Sequence, residues 1–165
     1  VISAEVAIAD PAWREALPEA EALIQEAAHG IDAEGDAAVL LTDDAQVRDL
    51  NARFRDKNAP TNVLSFPAGP NPVGHLGDLA LAFGVCESEA RAQGKPLADH
   101  LRHLVVHGLL HLLGYDHEDE AEGDAMEALE RSILSQMGVP DPYGPQIRED
   151  GLREDAGHDR LAAQS

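Results

Sequence analysis

Five of the eight histidines lie between residues 100 and 117, in the run His100-Leu-Arg-His103-Leu-Val-Val-His107-Gly-Leu-Leu-His111-Leu-Leu-Gly-Tyr-Asp-His117. On a helix, His107 and His111 fall one turn apart and point to one side, so two imidazoles can share one ion. Gly114 can adopt a left-handed backbone, end the helix and let the chain turn back to bring His117 to the same point. Three neutral imidazoles with a fourth position left to water form the donor set of a catalytic zinc. Such a zinc lowers the pKa of its water to roughly 7. Neutral ligands also leave the ion its full +2 charge to attract a carbonyl or phosphate oxygen. A lone histidine would read as packing or surface, but three at this spacing read as a metal site. His100 and His103 continue the stripe and would support the ligands, contact substrate or pack.

The spacing H-x-x-x-H-x-x-G-x-x-H is that of the metzincin zinc site. Metzincins place a glutamate, the general base, directly after the first histidine. Gly108 stands there in this chain, and it can neither take nor give a proton. A mid-helix glycine costs about 1 kcal/mol relative to alanine, so something is expected to need the space. Peptide hydrolysis requires a proton for its leaving amine, which disfavours a zinc peptidase. Phosphodiester cleavage depends more on charge stabilisation by metal and cations, and an RNA substrate carries its own 2′-hydroxyl nucleophile.

These residues need a scaffold, and the composition supports one. The chain has 165 residues, 44% hydrophobic and 26% charged, in the range of one soluble domain. Aromatics are 4%, so the core must be largely aliphatic. The single cysteine, Cys86, excludes an internal disulfide and reads as a small buried hydrophobe. No apolar run reaches the roughly 18 residues of a membrane span, and the opening VISAEVAIAD lacks the features of a signal peptide. The net charge of −19 opposes non-specific nucleic-acid binding. Its distribution is uneven, however. Residues 116–130 hold eight acids and no lysine or arginine, whereas residues 48–57 hold Arg48, Arg53, Arg55 and Lys57, four of the 12 basic residues.

Alternating Ile2, Ala4, Val6 and Ile8 predict a strand. Residues 11–29 have a helical period, with a start at Pro11 or at Pro18. Ala37–Leu41 suits a buried strand. Thr42 or Asp43 caps a helix with an apolar face of Val47, Leu50 and Phe54, broken by Asn58-Ala59-Pro60. Residues 62–66 and 76–83 predict strands joined by a turn or mobile loop, PAGPNPVG. Helices follow from Val85, from Leu97 to Leu113, and from Ala121 to Met137 with Met126, Leu129, Ile133 and Met137 buried. The order βαβαββααα predicts an α+β domain. Residues 144–165 carry no apolar pattern and are expected to form an acidic, disordered tail after a domain of residues 1–143.

The run from His107 to His117, followed by Met126-Glu127 and Leu129-Glu130, resembles the signature of the YbeY-type endoribonucleases, bacterial rRNA maturation factors. Leu50-Asn51, Phe54-Arg55 and Thr61-Asn62-Val63-Leu64-Ser65-Phe66 resemble a second block of that family. Leu76-Gly77-Asp78 and Asp141-Pro142-Tyr143 complete the likeness, which spans about residues 3–143. The resemblance implies a small mixed four-stranded sheet beside a helical layer that carries a metzincin-like metal helix with three histidine ligands. It implies one zinc ion on His107, His111 and His117, and a functional arginine at Arg55. It further implies cleavage of single-stranded RNA in 16S rRNA 3′-end maturation and ribosome quality control. The implied partners are the small ribosomal subunit and its proteins, in the cytoplasm, with no membrane or DNA partner.

Arg55 has its own rationale. A guanidinium grips phosphate bidentately, although an arginine at a helix C-terminus also satisfies terminal carbonyls. Asp78 would orient a ligand histidine or, preferably, face solvent on an edge strand. Asn62 and Ser65 would line an RNA groove or satisfy turn backbone. Tyr115 would stack on a base or pack beneath the metal loop, the latter preferred, and Asp116 would steady a ligand or make the turn. A non-catalytic ribosome assembly factor with a structural zinc is the alternative, since an acidic surface suits basic ribosomal proteins.

Overall fold

The alternating apolar residues at the N-terminus form β1 (Ile2–Ile8), with Ile2 and Ala4 buried. In the computed structural model, residues 1–55, 61–116 and 119–143 are described, together with the backbone of 146–147 and 153–154. Pro18 divides the first helical stretch in two, α1 (Pro11–Ala16) and α2 (Ala20–His29). Asp10 caps α1 by accepting from the Ala12 amide at 2.9 Å. Next come β2 (Gly35–Thr42), α3 (Asp44–Arg55), β3 (Val63–Pro67), β4 (His75–Ala82) and α4 (Phe83–Ala92). The chain continues with α5 (Leu97–Leu112) and α6 (Glu120–Gln136). Of the two residues offered as the cap of α3, Asp43 acts, accepting from the Gln46 amide at 2.8 Å. Phe83 leaves its predicted strand to open α4, where it packs edge-on against Trp13 at 5.2 Å.

The sheet order is β1-β2-β4-β3, with β1, β2 and β4 parallel and β3 antiparallel to β4. Its two faces follow from the alternation along each strand. Val39, Leu41, Leu79 and Leu81 join Leu23 and Ile24 of α2 and Leu101, Val105 and Leu109 of α5 in the main core. Leu64, Ala80 and Ala82 face the other way and meet Val47 of α3. Helix α5 lies between the sheet and α6, which explains why 11 of its 16 residues are buried. No helix among the described residues is long and apolar enough to cross a membrane. After Tyr143, the described backbone is a short antiparallel ladder, β5 (Gln146–Ile147) with β6 (Arg153–Glu154). The rest of that stretch lies outside the described residues, as does the breaker at residues 58–60.

Gly77 brings β3, β4 and the end of α5 together. A Cβ there would lie 2.3 Å from the Phe66 carbonyl oxygen, 3.0 Å from Pro67 Cα and 2.8 Å from Leu112 Cδ2, at a φ of +147°. Two of these neighbours are backbone and cannot move aside. Gly77→Ala is expected to lower the unfolding free energy by roughly 1–3 kcal/mol in a denaturant titration. An unchanged midpoint would contradict this close approach.

Candidate metal centre

The C-terminal half of α5 presents its histidines as the spacing predicts. The His107 and His111 rings stand 4.7 Å apart at 79°, and His103 precedes His107 with a ring separation of 6.2 Å. Gly114, at φ +103°, ends the helix. The Tyr115 amide bonds the Leu110 carbonyl at 3.0 Å and the Gly114 amide bonds the His111 carbonyl at 3.0 Å. These two bonds form a Schellman motif, which reverses the chain directly before residue 117. The structure therefore brings His107 and His111 together. His117, the third predicted ligand, lies outside the described residues.

The sequence reading missed a buried carboxylate beneath these rings. Glu130 of α6 is 0% exposed. Its Oε1 lies 2.6 Å from His107 Nδ1, and its Oε2 lies 3.3 Å from His103 Nε2. Tyr143 Oη is 3.0 Å from the same His103 nitrogen. Burial alone would push the Glu130 pKa up. Hydrogen bonds from His103 and His107 outweigh burial and hold it well below the usual carboxylate range. Burial pushes the His103 imidazole down to about 4, against the opposing hydrogen bond to Glu130. At neutral pH Glu130 is thus an ionised carboxylate beside a neutral His103 ring.

His103, His107 and Glu130 offer ligand atoms that lie within 4.8 Å of one another, a set with the donor chemistry to hold a metal ion. The distances divide its roles. Two donors at about 2.0–2.1 Å from a tetrahedral zinc lie roughly 3.4 Å apart. The 2.6 Å between His107 Nδ1 and Glu130 is instead a hydrogen-bond distance. With Nδ1 given to the carboxylate, Nε2 is the His107 nitrogen suited to a metal, and His111 stands one turn further on. This donor set fits a zinc ion.

Gly108 faces away from the histidines. A Cβ there would meet Leu79 Cδ2 at 2.8 Å and Cδ1 at 3.0 Å. Leu79 is 1% exposed in the core. The expected demand for space is therefore the close approach of α5 to β4. A glutamate at 108 would enter the sheet interface rather than the metal site.

The profile of the family described as Endoribonuclease YbeY matches residues 6–138. The chain belongs to the YbeY endoribonuclease family. Proteins named Endoribonuclease YbeY from Rhodopseudomonas palustris (strain BisA53) and Paramagnetospirillum magneticum (strain ATCC 700264 / AMB-1) are similar to it. The first is 51% identical over 160 residues, covering 88% of this chain and 92% of the relative. The second is 48% identical over 160 residues, covering 88% and 98%. A Thermotoga maritima protein solved in solution aligns with a TM-score of 0.49 at 24% identity, over 84% of this chain and 92% of that one.

The other residues singled out in this YbeY family member separate clearly. Arg55 ends α3 with its guanidinium turned onto β3, where it donates to the Ser65 carbonyl and lies 5.4 Å from the Phe66 ring. Among the described residues its partners are there, not among the histidines. Asn62 and Ser65 are 2% and 4% exposed, too buried to line a groove. Asn62 instead joins Glu89 at 2.8 Å and the Val63 amide at 2.7 Å. Asp78 faces solvent as preferred, but on the inner strand β4 rather than an edge. It lies 3.3 Å from His75, whose pKa is raised chiefly by its hydrogen bond to Asp36. Tyr115 is 43% exposed, contrary to the preferred expectation that it packs beneath the loop. Cys86 is buried, as expected. A groove of about 750 Å³ lies on the sheet face opposite α5, lined by Leu40, Leu50, Phe54 and Phe66 among others, and none of the histidines lines it.

The depressed His103 pKa has a measurable consequence. Between the ordinary value of 6.5 and about 4, the unfolded chain binds more protons at this residue than the folded chain. Its contribution is therefore complete above pH 6.5 and is lost as pH falls toward 4. Glu130 adds a loss only below its ordinary value of 4.5. In metal-free protein, denaturant unfolding from about pH 7 to about pH 5 is expected to lose this contribution along a downward slope, against the gain from His75, whose raised pKa acts in the opposite direction. His103→Gln should flatten that slope by up to about 1.4 kcal/mol per pH unit. An unaltered slope in the variant would contradict the buried neutral imidazole.

Proposed function

We propose that this chain is a zinc-dependent endoribonuclease that cleaves single-stranded RNA. Its metal ligands are His107, His111 and His117, and Arg55 is its catalytic cation. The reading is carried by the carboxylate-held His107 one turn before His111, at a helix end that turns the chain toward residue 117. Membership of a family whose members are named endoribonucleases supplies the substrate class. Maturation of the 16S rRNA 3′ end and ribosome quality control, in the cytoplasm and on the small ribosomal subunit, are the proposed setting. The net charge of −19 favours contact with basic ribosomal proteins alongside RNA.

Zinc, when bound, supplies Lewis-acid stabilisation of charge on the scissile phosphate. The protein groups do the rest. Arg55 has five N–H donors, and its bond to Ser65 and its place over Phe66 preorganise the guanidinium. It is then ready to bond the phosphate oxygens as their charge grows, without reorganising at the moment of reaction. Gly108 offers no proton acceptor and its position faces Leu79, so the site lacks the glutamate base that a peptidase of this spacing uses.

The test is cleavage of an end-labelled single-stranded RNA by zinc-loaded protein, beside identically purified His111→Ala and Arg55→Ala. His111→Ala is expected to abolish cleavage. Arg55→Ala should keep zinc and lose roughly 10²–10³-fold in kcat. Equal cleavage by wild type and His111→Ala would refute the reading.

A further inference from the structure

Glu130 is joined on one side to His107 and on the other to His103. The His103 link continues to Tyr143, seven residues beyond the end of α6. Gly138, at φ +77°, turns the chain out of α6, with the Val139 amide on the Leu134 carbonyl at 2.9 Å. Arg131 Nε then holds Asp141 at 3.1 Å, and the Tyr143 amide bonds Asp141 Oδ1 at 2.8 Å. The Tyr143 ring consequently packs edge-on against His103 at 5.2 Å and 86°, with its hydroxyl on His103 Nε2. One connected path therefore runs from the segment after α6 into the metal centre.

We propose that Glu130 is the positioning residue of the metal centre and that Tyr143, acting through His103, holds Glu130 in register. This rests on the reading that His107 is a metal ligand through Nε2. The argument is one of protons. A neutral imidazole carries its hydrogen on either nitrogen, and only the bare nitrogen can bind a metal. A carboxylate 2.6 Å from His107 Nδ1 requires the hydrogen there, which leaves the lone pair on Nε2. The same bond fixes the ring about its Cβ–Cγ axis and makes Nε2 a better donor. Glu130 Oε2 would otherwise be free to turn. The single His103 Nε2–H holds it, shared between Glu130 Oε2 at 3.3 Å and Tyr143 Oη at 3.0 Å, both of which accept from it, because an acceptor nitrogen facing a carboxylate would repel it. The Tyr143 hydroxyl and ring fix His103 in turn. The path touches no reacting atom and acts only by choosing which His107 nitrogen faces the ion, and in what direction.

Two measurements separate this from a merely structural role. The first is zinc affinity by competition with a chromophoric chelator, for wild type, Glu130→Gln, Tyr143→Phe and His111→Ala. The second is the His107 tautomer in metal-free protein, from long-range ¹H–¹⁵N correlation. Glu130→Gln keeps the shape but removes the charge, and its amide can present either oxygen or NH2 to Nδ1. It is expected to weaken zinc binding roughly 10–100-fold and to turn a single Nδ1–H tautomer into a mixture, while metal-free unfolding stays cooperative. Tyr143→Phe should weaken binding less, in the same direction. If His111→Ala loses zinc but Glu130→Gln binds like wild type, the positioning role is refuted and the ligand assignment stands. If Glu130→Gln loses affinity with the tautomer unchanged, its effect is structural and the proposal also fails. Wild-type affinity in Tyr143→Phe would remove the C-terminal segment from the path. Wild-type affinity in His111→Ala would overturn the ligand assignment itself.

Discussion

An ionised carboxylate taken out of water costs several kcal/mol unless its oxygens are met by donors. Glu130 is such a group, fully buried, with one oxygen bonded to His107 and the other to His103. Those bonds constrain much else. They set the register of α6 along α5, because Glu130 must stand between two histidines one turn apart. They require His103 to be buried beside Glu130 and give Tyr143 a polar partner in the interior. Stability and site geometry are therefore tied together here, and loosening either ring would leave a buried charge without its donor.

Helix α5 serves two surfaces at once. Its histidine stripe meets α6, and its opposite side lies so close to β4 that Gly108 has no room for a side chain. Gly77 makes the corresponding concession on the sheet, where β3 and Leu112 converge. Close packing on this side holds the helix against the twisted sheet, and the histidines gain a fixed platform from it. The residue that serves as general base in a metzincin-type peptidase is thus replaced by a packing contact. Arg55 stands at the end of a helix on the other sheet face, but its guanidinium is fastened to β3, a strand that α5 also packs against.

Much of this was legible in the sequence, because local chemistry decides it. The α+β architecture with its four strands, the Gly114 helix stop, a cap for α3 at Thr42 or Asp43 and the one-turn pairing of His107 with His111 follow from periodicity and turn residues. Pro18 divided a helix where the pattern allowed either start, and Phe83 left its strand to meet Trp13, a contact distant in sequence. Glu130 was hidden by its company. Among eight acids in residues 116–130 it reads as part of a solvated face. The available signal was its spacing, four residues after Met126 and three before Ile133, on the buried stripe of α6. Asn62 and Ser65 offered no choice in advance, and Tyr115, expected to pack beneath the loop, is exposed instead, since burial at all three depends on contacts distant in sequence.

The account stands or falls on where the ion sits relative to Glu130. Anomalous diffraction at the zinc edge from crystals of the zinc-loaded protein locates it directly. The expected peak lies about 2.0–2.1 Å from His107 Nε2 and from a His111 ring nitrogen, with Glu130 still hydrogen-bonded to His107 Nδ1. A peak enclosed by His103, His107 Nδ1 and the Glu130 carboxylate would contradict it, because the carboxylate would then be a ligand and not the group that aims one.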